Sequence, residues 1–224
     1  MTFPHDDPRV HDLVGVGLGP FNLALAALSD AVPGLSARFL EARPDFSWHP
    51  GLLLEGARLQ VPFLADLVSM VDPTSRWSFL SYLREHDRLF PFYFAEHFHV
   101  PRREYDDYCR WVAHSLDSCR FDAEVTAVRA EDGVFTVEYA RADGSREAVR
   151  GRALVIGIGT APVLPEPLRA LEGDRVLHAA DYLDHTAALA GADDVTVVGS
   201  GQSGAEVFLD LLRSPTTATP GCAG

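Results

Sequence analysis

The apolar positions of this chain fall twice into the same order: a short unbroken apolar run, a cluster of glycines, then apolar residues at helical spacing. The first set opens with His11-Asp-Leu-Val-Gly-Val and continues through Phe21–Ser29 (FNLALAALS) to Ala37-Arg-Phe-Leu-Glu41. The second opens with Asp194–Val198 (DVTVV) and continues through Gly204–Leu212. A short apolar run that breaks into glycines predicts a buried parallel strand. Residues 12–41 therefore read as a β–turn–α–β unit of the size that binds one mononucleotide.

Between the two sets the pattern changes. From Arg43 to Pro73 the chain is rich in Pro, Gly and aromatics and reads mostly as loop, with a short helix near Leu64–Met70. Helices are predicted at Ser75–His86 and Arg103–Leu116. Phe121–Ala130 and Val134–Ala140 alternate apolar and polar residues around Glu131-Asp-Gly133. Ala148–Ala153 adds a third strand after Asp143-Gly144, giving a small antiparallel meander. Ala153–Ile158 (ALVIGI) reads as a buried parallel strand. Pro162, Pro165 and Pro167 make the next stretch a crossover without regular structure.

The expected fold class is α/β: a Rossmann-like domain over 1–190 with a small antiparallel insertion, then an incomplete second Rossmann-like unit over 191–213. No second strand is expected after its helix. Residues 214–224 (SPTTATPGCAG) lack periodicity and read as a disordered tail.

Composition narrows the function classes. The chain has 224 residues, 47% hydrophobic and 23% charged, as in ordinary globular proteins. Its 19 basic and 32 acidic residues give a net charge of −13, which argues against nucleic acid or an anionic membrane as partner. Cys109, Cys119 and Cys222 show no CxxC spacing, so a reducing cytoplasm is the expected location. No stretch approaches the ~18 consecutive apolar residues of a membrane span. His97 and His99 alone do not make a metal site, and no metal is expected.

Two glycine clusters carry the chemistry. Gly15-Val-Gly17-Leu-Gly19-Pro-Phe-Asn22 allows two registers. The one starting at Gly17 is preferred because it puts Pro20 in the first helical turn, where a missing N–H costs little. Glycines let the backbone approach a pyrophosphate, and the helix N-terminus supplies free N–H groups. Glu41 lies 22 residues after Gly19, where a carboxylate accepts hydrogen bonds from an adenosine ribose. The second cluster, Gly199-Ser-Gly201-Gln-Ser-Gly204, is a GxGxxG between strand and helix. Two such units suggest two dinucleotides, FAD and NAD(P)H. The residue that would choose NADP over NAD falls near or beyond the last residue.

The stretches GVGLGPFNLALAAL, FLEARPDFSWHPGLLLEG, LQVPFLADLVSMVDPTSRWSFLSYL, YDDYCRWVA and VVGSGQSGAEVFL occur in that order. In these the chain resembles the FAD- and NADPH-dependent N-hydroxylating monooxygenases of siderophore biosynthesis, which act on lysine, ornithine or diamines. The resemblance implies that NADPH reduces FAD and that reduced flavin adds O₂ at C4a. The substrate's terminal amine then attacks the distal oxygen of the hydroperoxide. No side-chain acid, base or nucleophile is implied, so the catalytic set is empty. The partners implied are O₂ and a small amine, and a homo-oligomer is compatible with the family.

The resemblance also implies site residues. Gly17, Gly19, Pro20, Asn22 and Glu41 would form the FAD turn. Glu41 to His49 would line FAD, with Trp48, His49 and Gln60 near the flavin, Val125 near the adenine, and Gly157 to Thr160 along FAD. Ser200, Gly201, Gln202, Ser203 and Gly204 would hold the NADP pyrophosphate. Plainer readings stand beside these: Trp48 as packing, His49 as a cap, Gln60 as a surface amide, and Tyr105, Tyr108 and Trp111 as the packing face of a helix. The chain departs from the family at Ala65 in FLADL, where the amino-acid hydroxylases carry a lysine that pairs with the substrate α-carboxylate. That departure suits cadaverine or putrescine. The family is also longer than this chain, which leaves a shortened, non-catalytic FAD-binding remnant as the alternative. A flavin disulfide reductase is disfavoured because no CxxxxC follows the first motif, and a Baeyer–Villiger-type oxygenase because FSWHPG and DLVSMVDPTS point to N-hydroxylation.

Overall fold

A computed structural model describes residues 10–171, 173, 175–213 and 221–223. The chain divides into two compact units. The first takes the chain up to Trp48 together with Gln60–Val100 and Glu104–Gly159; the second takes His49–Leu59, Pro101–Arg103 and the chain from Thr160.

The first unit contains β1 (Val10–Val16), α1 (Pro20–Asp30), β2 (Ala37–Leu40), α2 (Phe79–Glu85), α3 (Leu89–Ala95), most of α4 (Arg102–Ser115), β3 (Cys119–Arg120), β4 (Glu124–Glu131), β5 (Val134–Ala140) and β6 (Arg146–Ile156). Six strands form one sheet in the order β3-β2-β1-β6-β5-β4. β1 pairs parallel with both β2 and β6, β2 with β3, while β5 runs antiparallel to β6 and β4. This is the mixed α/β sheet that the two apolar periods predict. Val14, Leu40, Ala123, Val137, Tyr139 and Val149 make a core on it.

Several elements differ from expectation. The separate strands at Ala148–Ala153 and Ala153–Ile158 are one strand, β6, whose two edges meet an antiparallel and a parallel partner. Gly151 allows the continuity, since a Cβ there would lie 2.6 Å from Val14 Cγ2. Nor is the end of β6 buried: Ile156 and Ile158 are exposed. No helix forms at Leu64–Met70. Asp66 instead captures the Val68 and Ser69 N–H groups at 2.9 and 2.6 Å, an Asx-type competition with helical bonding. α2 starts only at Phe79, because Ser78 caps it by accepting from Ser81 N. α3 has no counterpart in the sequence reading because it is apolar at nearly every position and so has no helical period; its Pro91 sits in the first turn, where it is tolerated. β4 and β5 are joined as expected at Asp132-Gly133, both with positive φ, the geometry of a type I′ hairpin.

The second unit contains α5 (Glu166–Arg169), a 3₁₀ stretch (Ala179–His185), α6 (Thr186–Leu189), β7 (Thr196–Val198), α7 (Gln202–Arg213) and β8 (Gly221–Ala223). The proline stretch is thus not wholly irregular: Pro165 caps α5 and Pro167 lies in its first turn. β8 pairs parallel with β7, Thr196 opposite Gly221. The expectation of no further strand is corrected there, because the open edge of β7 offers unpaired N–H and C=O groups to a returning strand. The rest of the expected tail, 214–220 and 224, lies outside the described residues. α7 buries Val207 and Leu211 against Leu52, Leu54, Ala57 and Tyr182, so its apolar surface is covered on one face; Leu209 and Leu212 stay exposed. Among the described residues no helix is long and apolar enough to cross a membrane, and no cluster of three or more metal-ligating side chains occurs.

Candidate functional site

In the first unit, β1 lies between β2 and β6, and α1 follows it in the chain. The carboxyl ends of the parallel strands around such a switch point are where α/β sheets bind ligands. Gly17 leaves β1 at φ +81, and a Cβ there would stand 2.6 Å from the Gly157 carbonyl oxygen at the end of β6. Gly17 N donates to Leu40 O and Gly157 N to Val16 O, both at 2.8 Å, so the three strand ends are tied together. Gly19 is the N-cap of α1 and Pro20 its first residue, the register starting at Gly17. A Cβ on Gly19 would meet nothing within 4 Å, which leaves open space before the helix N-terminus. Gly15 serves packing instead, since a Cβ there would sit 2.2 Å from the Phe39 ring.

Asn22 fixes the turn. Its Nδ2 donates to the Val16 and Gly17 carbonyls at 3.1 and 2.7 Å, and the side chain fills the place a Cβ on Gly157 would need. Glu41 closes the other side. Its Oε2 accepts from Leu18 N at 2.9 Å, and its Oε1 from Arg43 N and Nε at 3.1 and 3.0 Å. Burial opposes its charge and is the largest single influence. The hydrogen bonds from Arg43 and Leu18 and the Arg43 charge together outweigh it, holding the carboxyl below its ordinary value. Open space at Gly19, free N–H groups in the first helical turn and an ionised carboxylate at the end of β2 fit the pyrophosphate and ribose of FAD.

The remaining predicted residues of this unit lie on other elements. Trp48 packs edge-on against Tyr105 with centroids 5.2 Å apart, and its backbone N–H donates to Asp106 Oδ1 at 2.6 Å. Gln60 is exposed, and Val125 is half-buried on β4 opposite Tyr139, beside a register shift. Ala65 is exposed at the head of the loop that Asp66 organises. Asp66 Oδ2 also accepts from Ser69 Oγ and Phe79 N, each at 2.7 Å. Tyr108 supports that loop, donating to the Trp77 carbonyl at 2.6 Å and packing at right angles to Phe79. The aromatic face of α4 is thus the packing face expected of it.

In the second unit, His49 takes a left-handed conformation before the 3₁₀ turn Pro50–Leu52, with no side-chain cap; its carbonyl accepts from Leu52 N at 2.9 Å. Thr160 is exposed. Gly199 has φ +114, and Gly199 and Gly201 have open space where a Cβ would point. Gly204 packs its helix onto the turn, since a Cβ there would come 2.9 Å from Gly199 O. Ser200 is exposed, while Gln202 and Ser203 are half-buried in the first turn of α7. This turn, too, has the room and the free N–H groups that a pyrophosphate needs.

Arg43 falls inside the span from Glu41 to His49 that the resemblance places along FAD, whereas Leu18, Asp66, Arg102 and Glu206 were not singled out. Leu18 and Arg102 act through contacts distant in sequence, whereas Asp66 accepts from N–H groups two and three residues on and Glu206 from Gln202 four residues back.

The chain is 49% identical over 207 residues to the rhizobactin siderophore biosynthesis protein RhbE of Rhizobium meliloti, covering 92% of this chain and 46% of the relative. It is 44% identical over 218 residues to the putrescine N-hydroxylase of Shewanella oneidensis, covering 95% and 44%. Among solved structures, the FAD-bound cadaverine monooxygenase DfoA of Erwinia amylovora superposes with a TM-score of 0.91 at 36% identity, covering 96% of this chain and 51% of that one. A Kutzneria ornithine N-hydroxylase with reduced FAD, NADP⁺ and L-ornithine gives 0.86 at 35% identity, covering 96% and 53%. The chain spans about half the length of these relatives. The family described as L-lysine 6-monooxygenase/L-ornithine 5-monooxygenase matches residues 9–220, and this chain belongs to that family.

Proposed function

We propose that this chain provides the FAD-binding part, and the start of the NADPH-binding part, of a cytoplasmic monooxygenase that hydroxylates the terminal amine of cadaverine or putrescine for a hydroxamate siderophore. The observation that carries the diamine reading is Ala65: an uncharged, exposed residue stands where the amino-acid hydroxylases place a lysine. A diamine has no carboxylate for such a cation to meet. The names of the Shewanella and Erwinia relatives support the same substrate class.

FAD, reduced by NADPH, supplies the oxygen-transferring chemistry when bound. The chain's own residues bind and orient. The α1 N-terminus and Gly19 receive the FAD pyrophosphate, Glu41 the ribose, and Asn22 keeps the turn in shape. The turn from Gly199 to Gly204 receives the nicotinamide dinucleotide. Trp48, His49, Gln60, Val125 and Thr160 are the further flavin contacts proposed, and Asp66 positions the loop that carries Ala65.

The test is NADPH- and O₂-dependent hydroxylamine formation by the purified, FAD-supplied chain, with cadaverine, putrescine, L-lysine and L-ornithine compared. Product from the diamines alone is expected. Product from the amino acids in preference overturns the substrate reading. No product from folded, FAD-loaded protein overturns catalysis by this chain and leaves the FAD-binding reading to stand on its own titration.

A further inference from the structure

Within the second unit the Gln202 side chain is already engaged. Its Nε2 donates to Glu206 Oε1 at 2.7 Å and to the Arg58 carbonyl at 3.2 Å. Both partners are acceptors only, so they determine which end of the amide is nitrogen. The carbonyl end, Oε1, is the end left for a ligand. Glu206 is held in turn by Arg102, whose Nη2 lies 2.9 Å from Oε2 and 3.1 Å from Oε1. Arg102 is itself pinned: Nη1 donates to the Leu52 carbonyl at 2.7 Å and its backbone N–H to the Ala57 carbonyl at 2.8 Å. Only 8% of Arg102 is exposed. A buried ion pair of this kind is weak evidence for stability, because desolvation offsets much of the attraction. Its geometry does fix orientation, and what it orients is the second residue after Ser200 in the glycine turn.

We infer that Arg102 and Glu206 are positioning residues for the second dinucleotide turn: they hold the Gln202 amide nitrogen inward and present its carbonyl oxygen at the start of α7, where it accepts a hydrogen bond from a hydroxyl or amide donor of the bound nicotinamide dinucleotide. The inference rests on the dinucleotide reading of that turn, and it alters the part Gln202 plays there. A pyrophosphate oxygen and Gln202 Oε1 are both acceptors and cannot pair. The phosphates are left to the N–H groups of the first turn of α7 and to the Ser200 and Ser203 hydroxyls.

Two readouts on the whole chain test this. The first is the ¹⁵N spectrum of the side-chain amide of Gln202, assigned by its loss in Gln202→Met. In the native chain it is expected away from the free-glutamine position and slow to exchange, and to move back towards that position in Glu206→Gln. A native resonance at the free position overturns the clamp, with no ligand needed. The second is NADP⁺ binding by titration, with FAD binding as control. Gln202→Met and Glu206→Gln are each expected to weaken NADP⁺ about fivefold, the size of one hydrogen bond. FAD affinity stays within twofold, and the double variant is no worse than Gln202→Met alone. An additive loss in the double variant overturns the route through Gln202. A native chain that binds FAD but not NADP⁺ overturns the dinucleotide reading itself, while the amide spectrum still decides the clamp.

Discussion

Glu41 accepts a hydrogen bond from the backbone N–H of Leu18 at 2.9 Å, across 23 residues of chain. The carboxylate at the end of β2 thereby holds the glycine turn that follows β1. The side chain shapes the turn, and under the proposed FAD reading its remaining lone pairs would meet a ribose.

Replacing it should separate these effects from the rest of the fold. Glu41→Gln removes the charge from its bonds to Leu18 and Arg43, and FAD affinity is expected to fall tenfold or more, since a bond to a charged acceptor is worth about 1.5–3 kcal/mol. Titration of flavin fluorescence checks it. The carboxyl lies below its ordinary value of 4.5 in the fold. Its contribution to stability is therefore fully present above pH 4.5 and lost as pH falls through the lower, folded value. Melting curves followed downward from about pH 6 should show native stability declining by a part that Glu41→Gln does not lose.

Gly157 and Asn22 share one space. A Cβ on Gly157 would stand 2.6 Å from Asn22 Cγ. Gly157→Ala should therefore displace Asn22 and its two bonds to the turn, costing about 1–3 kcal/mol. In an Asn22→Ala background the same change should cost much less. Denaturant unfolding of the four-member cycle measures the coupling.

Ala65→Lys should restore a cation at the head of the Asp66 loop. The ratio of kcat/KM for L-lysine or L-ornithine over cadaverine is expected to rise about tenfold or more, from a charge-assisted bond worth ~1.5–3 kcal/mol. An unchanged ratio would show that Ala65 does not face the substrate.

Burial holds the Cys109 thiol well above its ordinary range, and pushes Cys119 up to about 12. Neither should be thiolate at pH 8, roughly half a unit below an ordinary free cysteine. Alkylation followed by peptide mass mapping should find both unlabelled in the folded chain and labelled after denaturation.

The elements with a clean period were legible. β5 spans Val134–Ala140 as read, α1 begins at Pro20, and the Asp132-Gly133 turn follows from residues that accept positive φ. The Leu64–Met70 helix failed because local periodicity does not register a carboxylate that captures the next N–H groups. α3 failed for the opposite reason, having apolar residues on every side. At the candidate site, Gly17, Gly19 and Glu41 could be read because the spacing of a glycine turn and the acid after the next strand is local. Gln202 and Glu206 stand four apart on α7, a local pair, but the engagement of Glu206 by Arg102 across 104 residues could not be read.

Residue order along the chain is enough to specify two glycine turns, the registers of their helices and the family. These depend on which φ values a residue tolerates and on the distance along the chain from strand to turn to acid. Three-dimensional packing settles that β6 is one strand with unlike neighbours, that Gly157 makes room for Asn22, and that Arg102 meets Glu206 across 104 residues. Such contacts form only after the backbone has brought distant segments within hydrogen-bonding reach, and no local pattern of residues encodes which segments those are.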